Sequence, residues 1–129
     1  MSNRTGEIII KSGIDVWEHE RRTAQALANA GYTVSFIKRS EEEHVRTPDV
    51  VIDGVLWEMK SPISNRLPKI QKTLRQAIHQ SPNVIYDSQR IKNLNDNQIQ
   101  KELEKWSVQF RAMKHLLFVN KKREIIVIK

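Results

Sequence analysis

Three charged residues stand in an order suited to acid–base or metal-assisted chemistry: Asp49, then eight residues, then Glu58, with Lys60 two further on. Between them, Val50-Val51-Ile52 and Val55-Leu56-Trp57 flank Asp53-Gly54. Asp-Gly between two apolar runs is the strongest short-range signal for a β-hairpin with a two-residue turn. That turn fixes the register: Ile52 faces Val55, Val51 faces Leu56, Val50 faces Trp57 and Asp49 faces Glu58. Directly opposed residues share a side of the sheet with Cβ atoms about 4.5 to 5.5 Å apart, so the two carboxylates are forced together. Period-two alternation puts Lys60 on the same side, opposite Thr47.

Opposed like charges destabilise a sheet unless something offsets them, and a divalent cation does so with oxygen ligands alone. The competing reading is an exposed network in which Lys60 simply neutralises the pair. Apolar residues on both faces of the two strands argue instead for burial, where a charged triad is costly without a role. A fourth candidate comes from upstream. Asp15 is placed to cap a helix with Glu18 three residues on, and Trp17, Ala24, Leu27 and Ala28 fall on one helical face. Glu20 lies on that stripe and points at the sheet, whereas Glu18 is spent on capping. The plainer alternative for Glu20 is an ion pair with Arg21 or Arg22.

The elements that must position these residues follow from the same pattern. Glu7 to Lys11 is a short β-branched run, and Gly31 stands where a left-handed cap would end the first helix. Tyr32 to Lys38 reads as a strand, and Ser40-Glu41-Glu42-Glu43 as a solvated loop. After the hairpin and the Ser61-Pro62 break, Pro68 opens a helix with the stripe Ile70, Leu74, Ala77 and Ile78. Ser81-Pro82 ends it before a strand from Val84 to Tyr86. Asn95 or Asp96 caps a third helix with the stripe Ile99, Leu103, Trp106 and Phe110, and Leu116 to Val119 and Glu124 to Ile128 form a closing hairpin. The order β-α-β-β-β-α-β-α-β-β predicts an α/β fold with a mixed central β-sheet flanked by helices. No repeat or linker divides it, so residues 1–129 are expected to form a single domain. Trp17, Trp57 and Trp106 sit on apolar stripes and are expected in the core.

Composition narrows the function. The chain has 129 residues, 39% hydrophobic and 29% charged, with four Gly and four Pro, which fits a folded domain rather than a disordered or fibrous chain. Zero Cys excludes disulfides, a thiolate nucleophile and cysteine-ligated zinc. No apolar run approaches the about 20 residues needed to span a bilayer. Residues 1–7 contain no apolar signal segment, so the site of action is expected to be cytoplasmic. Charge is divided unevenly. Residues 1–59 hold seven basic against ten acidic residues, a net −3, while residues 60–129 hold fifteen against five, a net +10. The basic half suits a polyanion, and the acids of the first half suit a metal. Arg66, Lys69, Lys72 and Arg75 are expected to contact backbone phosphates, with Lys121, Lys122 and Arg123 as a second basic tip. His19, His44, His79 and His115 have no spacing that joins them into a zinc site or an imidazole acid–base pair.

Thr47-Pro48-Asp49 followed after eight residues by Glu58-Met59-Lys60 resembles the PD-(D/E)xK nuclease motif. More narrowly, Glu20, Ala24, Leu27, Gly31-Tyr32-x-Val34, Thr47-Pro48-Asp49, Trp57-Glu58-Met59-Lys60 and Gln76 through Asp87 resemble the C-terminal nuclease toxin domains of contact-dependent growth inhibition systems. The likeness covers roughly residues 15 to 128. The chain opens on Met1 rather than on the long delivery region to which such toxins are attached, a departure from the pattern.

The resemblance implies a restriction-endonuclease-like core and a metal-dependent nuclease that hydrolyses phosphodiester bonds, with tRNA as the favoured substrate. It implies Mg²⁺ or Mn²⁺ held by Asp49, Glu58 and the backbone carbonyl of Met59, with Glu20 as an added catalytic or metal-site carboxylate. Lys60 is implied as the residue that orients or deprotonates the attacking water. Thr47 and Gln80 are candidates for supporting the site or touching substrate. An acidic immunity protein covering the basic half is the implied protein partner. The alternatives are a DNA endonuclease of the same superfamily and a catalytically silent nucleic-acid-binding module.

Overall fold

The computed structural model describes residues 5–39 and 47–129. The acidic run at 40–43, His44 and Arg46 lie outside the described residues. The elements are β1 (Ile8–Ile9), α1 (Glu18–Asn29), β2 (Val34–Phe36), β3 (Val50–Ile52), β4 (Val55–Lys60), α2 (Pro68–Ile78), β5 (Asn83–Asp87), α3 (Asp96–Gln109), β6 (His115–Val119) and β7 (Ile125–Val127). Their order and type agree with the sequence pattern, although the outer strands are shorter than their apolar runs. The seven strands form one mixed sheet, hydrogen-bonded in chain order from β1 to β7. β1–β2, β4–β5 and β5–β6 pair in parallel, and the remaining neighbours are antiparallel.

Alternation along the central strands splits the core into two layers. Ile85 of β5 and Leu117 and Val119 of β6 join Ala24 and Leu27 of α1 on one face. Val84, Tyr86, Leu116 and Phe118 point the other way, onto Leu74 of α2 and Leu103 of α3. Covered on both faces, β5 and β6 are buried nearly throughout, as parallel strands require.

The β3–β4 hairpin forms in the predicted register, with Ile52–Val55, Val51–Leu56 and Val50–Trp57 paired. Asp53 and Gly54 adopt φ of 51° and 77°, the positive values a primed two-residue turn requires. Its strands are not buried on both faces, however. Val55 is 40% and Leu56 47% exposed, because the hairpin tip projects beyond the helical layers.

α1 also starts differently from the expectation. Trp17, not Asp15, is the N-cap, and Glu20 rather than Glu18 reaches back to it: Trp17 N–H donates to Glu20 Oε1 at 3.0 Å. A carboxylate three residues after the cap is the one that can make this contact. Glu18 lies in solvent and pairs with Arg22 at 3.3 Å. Trp17 is 63% exposed and not in the core, while Trp57 and Trp106 pack against the two core clusters as expected. At the other end Gly31 takes φ 100°, and Tyr32 N–H donates to the Leu27 carbonyl, closing the helix as the sequence predicts.

Candidate metal and nucleic-acid site

The site is assembled where β4 changes partners. Val55–Trp57 pair with β3, and Glu58–Lys60 pair with β5. The predicted ladder pairs Asp49–Glu58 and Thr47–Lys60 are not among those formed, since regular β3–β4 pairing stops at Val50–Trp57. The end of the ladder leaves Met59 N–H in need of an acceptor, and Asp49 Oδ2 accepts it at 2.8 Å. Asp49 thus turns its carboxylate along β4 and against Glu58. Asp49 is 8% and Glu58 3% exposed, so two buried acids stand side by side.

Lys60 Nζ lies 3.3 Å from Glu58 Oε2, and the Gln80 side chain, just beyond α2, donates to Glu58 Oε1 at 2.7 Å when its amide is assigned with the nitrogen toward the carboxylate. These partners do not cancel the crowding. Burial first, and then the charge and hydrogen bond of Asp49, push the Glu58 carboxyl up to about 8, with Lys60 pulling in the opposite sense. Glu20 lines the same cleft, 6% exposed and one turn before Ala24 on the buried stripe of α1. Its partner is neither Arg21 nor Arg22. Arg39 Nη2 lies 2.6 Å from Glu20 Oε2 and 3.3 Å from Asp49 Oδ1, bridging the two acids.

All four predicted catalytic residues line one open cleft of about 600 Å³, together with Thr47, Met59 and Gln80. Sequence reasoning missed Trp17, His19, Arg39 and Arg90 in its walls. No motif marks Arg39 or Arg90, which arrive from the end of β2 and from the segment after β5. Arg90 Nε donates to the Ser61 carbonyl at 2.9 Å and so braces the chain leaving the site. His19 lies among these cations, and burial and then Arg90 hold its imidazole below the ordinary value.

The predicted phosphate contacts fare less evenly. Arg66, Lys69, Lys72 and Arg75 are all exposed, but it is Thr73 and Gln76 of α2, and Gln80 just after it, that line the cleft. Lys69 stands one turn before Thr73 on the same helical ridge. Arg75 lies over the Phe110 ring at 5.7 Å. The expected basic tip at 121–123 is not a tip: Arg123 turns inward to Asp87, and Lys121 Nζ donates to the Leu94 carbonyl at 2.9 Å. Of the three, Lys122 alone is exposed. Buried Asp87 holds Arg123, and half-buried Asp96 with the Leu94 carbonyl holds Lys121.

The donor set suits a hard divalent ion, being made of carboxylate and carbonyl oxygens in a crowded acidic pair. Arg39 marks the need for positive charge between Glu20 and Asp49. Among the described residues no three acids or imidazoles converge as a ready-made cage, so an ion at Asp49 and Glu58 would draw further ligands from the Met59 carbonyl and solvent.

Comparison with known proteins gives the class. The family model for the contact-dependent growth inhibition CdiA C-terminal domain matches residues 46–125, more than half of the chain. The chain therefore belongs to the CdiA C-terminal domain family. Its fold is similar to a chain of a CdiA-CT/CdiI toxin and immunity complex from Burkholderia pseudomallei, with TM-score 0.66, 19% identity and 97% of each chain covered. No curated protein matches the sequence. No helix among the described residues is long and apolar enough to cross a membrane.

Proposed function

We propose that the chain is a metal-dependent nuclease of the PD-(D/E)xK type, acting as a toxin-like endoribonuclease on tRNA. The observation that carries this reading is the buried Asp49–Glu58 pair, pressed together beside Lys60 in a cleft open to solvent. A carboxyl pushed up to about 8 by burial and a neighbouring acid, at the wall of an open cleft, supports a functional role for the pair. Asp49, Glu58 and the Met59 carbonyl would hold Mg²⁺ or Mn²⁺, which supplies Lewis-acid polarisation of a phosphoryl oxygen.

The chain's own groups do the rest. Lys60 orients the attacking water and sets its positive charge against the negative charge that develops on the phosphorus oxygens. Gln80 holds the Glu58 carboxylate in place by its amide, and Thr47 lines the approach to Lys60. Glu20, fixed by the Trp17 N–H, offers its second oxygen to the cleft once Arg39 turns to a phosphate. Water attack in line with the leaving 3′-oxygen leaves a 5′-phosphate. The exposed cations at Arg66, Lys69 and Lys72 extend the contact along the backbone of a long substrate.

The similar solved structure contains an immunity protein, which supports the reading that an acidic partner covers the +10 half of this chain. The test is incubation of wild type and Asp49→Ala with tRNA, ribosomal RNA, duplex DNA and single-stranded DNA, each with Mg²⁺ or EDTA. Discrete tRNA fragments that need metal and vanish in the variant are expected. DNA products would transfer the chain to the DNA endonucleases. Binding without cleavage, equal in both proteins, would make it a silent binding module.

A further inference from the structure

Trp17 is out of place as a core residue. It is 63% exposed, belongs to neither core cluster of the described residues, and forms part of the wall of the cleft that holds Glu20, Asp49, Glu58 and Lys60. Leaving so large an apolar ring in water forgoes about 25 cal/mol for every Å² that could have been buried. Its position is nevertheless held. The Trp17 N–H is bound by Glu20 Oε1, and its ring stacks on His19 at 6.3 Å between centroids and 26° between planes. Arg39 and Arg90 lie in the same wall. Across the cleft Thr73 and Gln76 of α2 and Gln80 just after it carry hydrogen-bonding groups but no charge.

We propose that Trp17 is a stacking platform for an unpaired nucleobase of the substrate, next to the phosphate at the carboxylates. The inference rests on the nuclease reading and extends it to the form of substrate accepted. A fixed, exposed aromatic ring beside guanidinium groups matches the alternation of flat base and anionic phosphate along a single strand. A base within a duplex has both faces covered by its neighbours and cannot use the ring without leaving the stack. The cleft therefore selects a looped or single-stranded stretch over a continuous double helix. The coupling to Glu20 is direct: the carboxylate that reaches the site also caps the helix at the residue carrying the platform.

The test uses full-length protein silenced by Glu58→Gln, so that binding is read without cleavage. Affinity is measured for a single-stranded RNA oligonucleotide, the same sequence as a duplex, and an abasic strand of equal length. Trp17→Ala in that background is expected to weaken single-strand binding about 5- to 150-fold, the range for losing one base–aromatic stack. Duplex and abasic binding should change less than twofold, and Trp17→Phe should restore most of the loss. Quenching of tryptophan fluorescence by the single strand should shrink in the Ala variant. Equal affinity of parent and Trp17→Ala for all three ligands overturns the platform and leaves Trp17 to a protein contact. In that case cleavage by otherwise wild-type chain, abolished by Asp49→Ala, keeps the nuclease reading intact. Binding to none of the ligands and cleavage of nothing sinks both.

Discussion

Asp87 and Glu58 are buried acids on neighbouring parallel strands, 1% and 3% exposed, yet the fold treats them in opposite ways. Around Asp87 every oxygen is answered. Arg123 donates to both carboxylate oxygens at 2.8 Å, Thr23 Oγ1 donates at 2.6 Å and Gln89 N–H at 2.8 Å. Those contacts tie β5 to α1 and to the β6–β7 turn. Glu58 instead faces a second acid, a lysine at 3.3 Å and an amide, and its carboxyl is pushed up to about 8. One acid is closed by the protein itself. The other is left in want of a cation that the chain does not fully provide, beside open solvent. Satisfied acids hold a fold together, and unsatisfied ones in a cleft are where chemistry is to be sought.

Removing the cation beside each acid should separate the two roles most strongly. Lys60→Ala is expected to lower the cleavage rate about 10²- to 10⁴-fold, the range for losing a positioned proton-transfer or charge-stabilising group. Its thermal midpoint should stay near that of wild type, because Glu58 can keep its proton. Single-turnover rates and a melting curve read both effects, and a fully active variant would remove Lys60 from the mechanism. Arg123→Ala should do the reverse. Stranding Asp87 without its bidentate partner costs about 3 kcal/mol of stability, visible in urea unfolding. A loss under about 0.5 kcal/mol would mean that the Asp87 network is surface decoration.

The smallest effect concerns pH. The Glu58 carboxyl stands at about 8 in the fold against an ordinary 4.5, so the folded state binds the extra proton between those values. Its stabilising contribution is full below pH 4.5 and is lost as pH rises through 8. In EDTA, wild type should therefore lose stability from pH 5 to 9 more steeply than Glu58→Gln. Parallel melting-temperature profiles for the two proteins would show that Asp49 does not crowd Glu58 as described.

The legible part of the site was the hairpin. Asp53-Gly54 set the turn, the turn set the register, and the register pointed Asp49 at Glu58 with Lys60 beyond. The register failed only at its end, where the ladder stopped at Val50–Trp57 and Asp49 was redirected to the Met59 N–H. Helical periodicity placed Glu20 over the sheet but misread the start of α1, since it could not foresee which carboxylate would reach back to the cap. Trp17 was misjudged for a related reason. A stripe says which side of a helix a residue occupies, and not whether the sheet extends far enough to cover it.

What the local pattern determined, then, is the order of elements, the two-layer core and the acids and lysine of the hairpin, because these depend on backbone periodicity and turn geometry within short stretches. The tertiary structure alone decided the partners. Arg39 reaches Glu20 and Asp49 from 19 and 10 positions away, Arg90 braces Ser61 across 29, and Arg123 closes on Asp87 across 36. Long side chains choose among all charges that folding brings within reach, and which acids those are is fixed by the packing of α1 and the strand ends rather than by spacing along the chain.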